Sequence, residues 1–366
     1  MTTPTASTSE RASLYFVSPL VDSLVIGGVS LLTYVVVRAF QSRMSMETVY
    51  ATSAALLVVV NWPHFSATVH RLYHSTSNIA QYPLTAIAVP LVILGGVWAS
   101  FAQPEAVAPY FVKLYLIWSP YHFSGQTLGI TLLYARRAGI RFSRPERLAI
   151  AAFIFGTFIF PLVRFETGRG DQAYFGVPYP TWGLPGWTRQ AAGTWLAICA
   201  VAFVAIFIRW KRQGRALPPL IVFLPAVAQF VWFVPGSRLA AFNEFVPLFH
   251  SLQYLLIAWA LQLKEKLDVH AIKPSRRYVF WETTRWLFLN IIGGMLLFKT
   301  LPLVFESTGA PAGFVTGVIL SAVQIHHFFV DGVIWKLKSP AVSSPLMVNF
   351  HELAGTPTRA PALASR

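Results

Sequence analysis

The sequence predicts an all-α membrane protein, a polytopic bundle of about ten transmembrane helices with both termini in the cytoplasm. Composition gives the first reason. Hydrophobic residues make up 55% of the chain and charged residues only 12%, with a mean hydropathy of +0.55. Soluble domains carry about 25% charged residues. A chain this apolar is therefore expected to lie in a bilayer.

The second reason is the division of the chain into apolar segments bounded by charge, proline or glycine. Each segment is close to the ~20 residues that cross ~30 Å of hydrocarbon. The first shows no small-residue cleavage site and is too long for a signal-peptide core, so it is expected to be a true span. The ten predicted spans are 14–37, 48–70, 79–101, 108–134, 147–164, 191–209, 217–235, 239–263, 279–303 and 312–336.

These spans predict a simple domain organisation. Residues 1–13 form a cytoplasmic N-terminal segment, and 14–337 form a single transmembrane domain. Residues 338–366 are rich in Pro, Ala and Ser, a composition typical of a disordered tail. Cys199, the one cysteine, lies in an apolar segment, which excludes a disulfide framework or a CxxC pair. It is expected to be a small buried hydrophobe.

The basic residues give the third reason and the orientation. With ten spans, both termini and the loops after even-numbered spans lie on one face. About two thirds of the 29 Lys and Arg residues fall on that face, which is therefore expected to be cytoplasmic. We expect a bacterial cell inner membrane protein. The same topology accounts for the net charge of +15, so no nucleic-acid partner is expected.

Histidines inside the predicted spans are the main functional signal. All of them are in even-numbered spans, 7 to 14 residues before the first basic residue that follows. At 1.5 Å per residue they share a layer about 10–20 Å deep. One histidine in a helix is most simply an interhelical hydrogen-bonding residue. Several at one depth indicate a shared metal site, since polar groups in hydrocarbon face a cavity or partner. The candidates are His64, His122, His250, His326 and His327.

Two further histidines, His70 and His74, lie at the cytoplasmic mouth of the second span, where they are either metal ligands or solvated surface residues. Neighbouring helical turns supply possible partners of the ligands. Residues four apart share a helical face, and a metal-bound imidazole needs its other nitrogen oriented by such a group. The predicted supporting residues are Thr68, Gln126 and Gln253.

Tyr254 follows His250 by four residues, and Asp331 follows His327 by four. Both are candidate catalytic residues, as co-ligand, orienting group or proton donor. Adjacent residues on a helix differ by about 100°. Because only His327 shares a face with Asp331, it is the stronger ligand candidate of the adjacent pair.

Four segments carry a resemblance to a known class of enzyme. They are "NWPHFSATVHRLYH" (61–74), "SPYHFSGQT" (119–127), "FHSLQY" (249–254) and "IHHFFVDG" (325–332). In its set of candidate metal ligands the chain resembles the histidine-box membrane oxygenases, which include lipid desaturases, hydroxylases and carotenoid-cleaving oxygenases. The resemblance implies iron as cofactor. It also implies a membrane oxidoreductase that oxidises, desaturates or cleaves a lipid-soluble substrate entering from the membrane lipids. The sequence identifies no electron donor.

Other interpretations stay open from the residues alone. The same polar groups can line a proton or metal-ion pathway of a transporter or channel. The outer halves of the even spans, such as 51–60 and 312–320, are nearly devoid of polar residues, which weighs against a through-path. A non-catalytic subunit, structural or haem-binding, is the third interpretation. The His-x3-Tyr spacing of "HSLQY" is similar to that of a haem–copper oxidase copper centre, so haem, copper and zinc are alternatives to iron.

Overall fold

The computed structural model describes residues 14–168, 172–335 and 344–356, and helices dominate it. Within these ranges, long helices occur at the positions of the ten predicted spans. They are α1 (Pro19–Arg43), α2 (Met46–Leu56, Leu57–Asn61 and Trp62–Tyr73), α3 (Leu84–Ala102), α4 (Ala108–Arg137), α5 (Arg144–Glu166), α6 (Trp187–Arg212), α7 (Leu220–Phe233), α8 (Val246–Val269), α9 (Arg276–Glu306) and α10 (Ala312–Ile334).

Eight helices among the described residues are long and apolar enough to cross a membrane, in keeping with an integral membrane protein. The all-α prediction is confirmed at this level. The two long helices outside that group are α2 and α4. Both carry polar residues at buried positions, Asn61 and His64 on α2 and Lys113 on α4, which lower their mean hydropathy. Ten crossings and cytoplasmic termini stay predictions.

Three π-helical turns precede prolines inside the long helices. They are Leu57–Asn61 before Pro63, Leu84–Ala88 before Pro90, and Leu296–Thr300 before Pro302. A proline ring has no N–H and clashes with the carbonyl four residues back. A π turn inserts one residue and moves that carbonyl aside. In α2 the turn ends three residues before His64, which is fully buried.

Close backbone approach sets α9 against α2. A Cβ atom at Gly294 would lie 2.7 Å from the Trp62 carbonyl carbon, so only glycine permits this contact. On its other faces, the bundle around α2 is completed by α8 and α10. Helix α4 packs against α5, α7 and α10. Helices α2, α4, α8 and α10 therefore enclose a common interior.

A β-hairpin closes one end of the bundle. Strand β1 (Gln172–Tyr174) pairs antiparallel with β2 (Val177–Tyr179). The turn residues Phe175 and Gly176 have φ values of 50° and 79°, as a type I′ turn requires. Val177 is 1% exposed and packs with apolar residues of α4 and α10, so this end is called the hairpin end.

A buried ion pair fastens the hairpin to the helices. Lys113 of α4 and Glu166 at the end of α5 lie 3.0 Å apart, Nζ to Oε2, and are 4% and 0% exposed. Glu166 also accepts the Tyr179 hydroxyl and, at 2.7 Å, the Trp182 N–H. Burial, and then the hydrogen bond to Glu166, raises the pKa of Tyr179, which therefore stays a neutral donor.

The opposite end of the bundle is closed by part of the predicted tail. The sequence predicts a disordered segment over 338–366, but residues 344–356 are folded, with short helices at Pro345–Met347 and Phe350–Leu353. Leu346 is fully buried there. Arg137, at the end of α4, donates to the Leu346 carbonyl at 2.6 Å and to the Val348 carbonyl at 3.1 Å. The rest of the predicted tail, 338–343 and 357–366, and the predicted segment 1–13 lie outside the described residues.

Candidate metal centre

Four histidines from four helices meet in the interior enclosed by α2, α4, α8 and α10. One ring nitrogen from each lies within 4.8 Å of the corresponding atom of every other. They are His64, His122, His250 and His327. His64, His250 and His327 are at most 2% exposed, and the His122 side chain is 9% exposed. Four of the five histidines in the predicted layer thus form a compact, largely buried cluster.

Asp331 places a carboxylate beside the cluster. The Nε2 atoms of His122 and His327 face each other at 3.2 Å. Oδ2 of Asp331 lies 3.6 Å from the first of these atoms and 3.4 Å from the second. A carboxylate next to several imidazoles is a donor set typical of a transition-metal site.

Several ring nitrogens of the cluster have no hydrogen-bond partner among the described residues. They are Nε2 of His64, both nitrogens of His250 and Nδ1 of His327. Leaving a buried polar atom unpaired costs about 1–3 kcal/mol. Native structures rarely carry several such atoms at one point unless a water or an ion joins them. The unpaired nitrogens are therefore available as donor atoms to a metal ion.

The dimensions of the cluster fit one ion. Two ligand atoms bound at ~2.2 Å can be separated by no more than about 4.4 Å. The four ligand atoms all lie within 4.8 Å of one another, a bound only a few tenths of an ångström above this limit.

A serine on α8 orients His64. Ser251 Oγ lies 3.1 Å from His64 Nδ1 and donates to the Pro247 carbonyl at 2.8 Å. Asn61 donates to the same hydroxyl oxygen at 2.9 Å. With its hydrogen engaged by Pro247, Ser251 accepts from His64 Nδ1–H, which leaves a lone pair on Nε2 toward the cluster. Sequence reasoning missed Ser251 because it considered partners on the histidine's own helix.

Thr68 has a different role from the one its spacing predicts. Its hydroxyl contacts His64 at the backbone carbonyl, at 3.3 Å, and not at a ring nitrogen. The same hydroxyl lies 2.6 Å from the Tyr254 hydroxyl and 3.1 Å from Asp331 Oδ1. The Thr68 hydroxyl has one hydrogen to donate, and a hydrogen bond to a carboxylate is stronger than one to a neutral oxygen. Tyr254, Thr68 and Asp331 thus form a chain of hydrogen bonds that ends beside His122 and His327.

The two predicted glutamines act on the backbone. Gln126 Nε2 donates to the His250 carbonyl at 2.9 Å and lies 3.5 Å from Gln253 Oε1. Gln253 in turn donates to the Ile26 carbonyl at 2.5 Å. Neither amide contacts a ring nitrogen of the cluster. They hold α4, α8 and α1 in register around His250.

The remaining predicted ligands lie outside the cluster. His326 points away from it, with Nε2 3.1 Å from the Tyr73 hydroxyl. His70 and His74 are exposed near the end of α2, and their rings stack at 5.2 Å. His74 Nδ1 lies 3.1 Å from the His70 carbonyl of its own helix. Of the seven predicted metal ligands, the structure brings four together and does not bring His70, His74 or His326 to them.

A cavity of about 310 Å³ adjoins the cluster. His122, Tyr254 and Asp331 line one end, and Leu133 and Leu346 line the other. Most of the remaining wall is apolar or aromatic, as is usual for a small-molecule site. The cavity gives a substrate-sized molecule direct access to the carboxylate side of the cluster.

Comparison of the chain with protein families, with curated proteins and with solved structures found no match in any of the three.

Proposed function

We propose that this protein is an integral membrane oxidoreductase that binds a redox-active metal ion, iron in the first place, at His64, His122, His250 and His327. Its substrate is a lipid-like molecule that it oxidises, desaturates or cleaves. The observation that carries the proposal is the convergence of four buried imidazoles whose ring nitrogens include several without a partner among the described residues.

Coordination number favours iron over zinc. Structural zinc is nearly always four-coordinate, so four histidines would close such a site against any substrate. Iron in oxygenases is bound with open positions in a six-coordinate arrangement. Four imidazoles then leave two positions, one of which Asp331, 3.4 Å from His327 Nε2, is close enough to share. Bound iron supplies dioxygen activation, with dioxygen as oxidant and an external donor providing electrons where the reaction requires them.

The protein groups around the centre have separate tasks in this proposal. Ser251 Oγ lies 3.1 Å from His64 Nδ1 and holds the ring so that Nε2 faces the cluster. The chain from Tyr254 through Thr68 stores a proton close to Asp331 Oδ1. The apolar surroundings exclude water and so prevent side reactions of the reacting groups. Positioning and proton supply are thus built into α2, α8 and α10.

A comparison of cellular lipids tests the proposed activity. Bacterial cells expressing the wild-type chain, the variant His327→Ala and the empty vector are grown in air, and their total lipids are extracted. We expect new species with a mass change corresponding to loss of two hydrogens, gain of one oxygen atom or chain cleavage, in the wild type alone. Mass spectrometry reads all three outcomes. Growth of the same cells without oxygen is expected to abolish the new species, because dioxygen is the proposed oxidant.

The variant Thr68→Val is expected to reduce product formation without reducing metal binding. Valine has the same shape but cannot connect Tyr254 to Asp331. We expect metal content close to wild type and product reduced by about 10–100-fold, the usual effect of losing an outer-shell partner. The matched control Thr284→Val changes an exposed threonine of α9 whose hydroxyl bonds only its own helix, at Phe280. Identical lipids in all strains, with metal-loaded protein present in the membrane, would overturn the proposed activity.

A further inference from the structure

Glycines line the cavity beside the histidine cluster and keep it open. Gly125 and Gly129 are one helical turn apart on α4, and Gly332 is on α10. A Cβ atom at any of these three positions would meet nothing within 4 Å among the described residues. The space next to each glycine is therefore free volume, and a larger side chain would occupy the cavity without displacing a neighbour.

The cavity extends along α4. It follows α4 from His122 to Leu133, eleven residues, or about 16 Å at 1.5 Å per residue. Its volume of about 310 Å³ lies at the lower end of the range usual for small-molecule sites. A cavity of this length and volume accommodates an extended hydrocarbon chain.

Its polar groups lie at one end. His122, Tyr254 and Asp331 lie at the cluster, whereas Ile130, Leu133 and Leu346 line the distal part. Leu346 is held by the Arg137 hydrogen bond to its carbonyl, at 2.6 Å, so the distal end is closed by a fixed residue. A guest chain can contact reactive groups at only one end.

The side of the cavity opens between α4 and α10. Gly125 and Gly332 are exposed on the outer surface of these two helices, and Tyr121 beside them is 52% exposed. Gly125 lies in the middle of α4, where an exposed position of a membrane-spanning helix faces lipid, and Gly332 lies in the last turn of α10. A molecule dissolved in the hydrocarbon phase therefore reaches the cavity without passing through water.

From these observations we infer that the cavity is a binding chamber for an extended hydrocarbon chain, which enters sideways between α4 and α10 across Gly125 and Gly332. The bound chain places one carbon segment against His122 and Asp331. This inference rests on the proposed function for its chemistry. The chamber itself rests only on the cavity, its glycines and its lipid-facing side.

A photoreactive fatty acid tests the chamber. A C16 fatty acid carrying a diazirine in mid-chain is added to the purified full-length protein in micelles, irradiated, and mapped by peptide mass spectrometry. We expect saturable labelling concentrated in residues 121–133 and 328–335 of α4 and α10. Gly129→Leu and Gly332→Leu should each lower that labelling by at least about fivefold, because the leucine fills the space that the chain needs.

The control is Gly95→Leu on α3. Gly95 is also helical and exposed, and a Cβ atom there likewise meets nothing within 4 Å among the described residues, but it does not line the chamber. It should leave the labelling unchanged. Labelling spread evenly over all lipid-facing helices, or labelling unaffected by both chamber variants, would overturn the inference. The metal content of the same samples separates the two proposals: labelled protein unable to bind metal refutes the centre and keeps the chamber, and metal-loaded protein without chamber labelling does the reverse.

Discussion

The variant His250→Ala is expected to purify without metal, whereas the wild-type chain binds about one ion and His270→Ala, in an exposed loop, binds as much as wild type. His250 is 2% exposed, and neither of its ring nitrogens has a partner among the described residues. Replacing His250 by alanine removes one of the four proposed ligands and leaves a cavity where its ring was. Loss of an outer-shell partner already costs about 10–100-fold in metal affinity, so loss of a ligand should cost more.

The measurement is metal content per chain by plasma mass spectrometry after reconstitution with ferrous iron and gel filtration. Near-equal content in wild type and His250→Ala would contradict the assignment of His250 as a ligand. The folded state is checked on the same samples by helical content and elution volume. His250→Ala is expected to match wild type in both, because alanine favours helix and the ring makes no hydrogen bond to the described residues.

Glu166→Ala is expected to be the most destabilising substitution at the hairpin end. It leaves the Lys113 ammonium, 4% exposed, without its carboxylate, and removes the acceptor of the Tyr179 hydroxyl and Trp182 N–H. Breaking one side of a buried ion pair costs about 3–5 kcal/mol. Equilibrium unfolding with a denaturing detergent in mixed micelles measures the change in free energy.

Two further variants make this result specific. Glu105→Ala removes an exposed carboxylate and should change the free energy of unfolding by less than about 0.5 kcal/mol. The double variant Lys113→Met with Glu166→Leu removes both charges and should recover the part of the loss that comes from the unpaired Lys113 ammonium, since an apolar pair avoids the buried charge. The part that comes from the Tyr179 hydroxyl and the Trp182 N–H should remain, because leucine accepts neither hydrogen bond. A single Glu166→Ala variant as stable as Glu105→Ala would show that the ion pair does not hold the hairpin.

Most of the helical architecture is predictable from the sequence because the cost of exposing polar backbone to hydrocarbon leaves few alternatives. The same reasoning explains why α2 and α4 give the weakest apolar signal. Their buried polar positions, His64 and Thr68 among them, face the interior of the bundle and not the lipid. Mean hydropathy is an average over a whole helix. It cannot distinguish a membrane-spanning helix with a polar face toward the bundle interior from a helix outside the membrane.

The sequence predicts those parts of the site that depend on how deep a residue lies in the membrane and on which face of its helix it stands. A common depth predicts that histidines of four spans can meet, and the rotation of about 100° between neighbours favours His327 over His326. The structure brings His327 into the cluster and turns His326 toward Tyr73. Contacts between helices are beyond such reasoning. The Ser251 bond to His64, 187 residues apart in sequence, needs the packing of α8 on α2.

The C-terminal segment is a case in which composition misleads. Pro, Ala and Ser dominate 338–366 and predict disorder. Within the described part of it, three apolar side chains, Leu346, Val348 and Leu353, are at most 3% exposed. A buried arginine of another helix satisfies two of its carbonyls. A few long-range contacts of this kind outweigh the average composition of a short segment.

X-ray absorption spectroscopy of the iron-reconstituted wild-type protein tests the central claim most directly. It reports the number, type and distance of the atoms around the bound ion. We predict four imidazole nitrogens at ~2.0–2.2 Å, with one or two oxygen ligands beside them. The outer-shell scattering of imidazole rings should fall by one ring in His327→Ala. An ion surrounded by oxygen alone, or a spectrum that His327→Ala leaves unchanged, would contradict a metal centre built from His64, His122, His250 and His327.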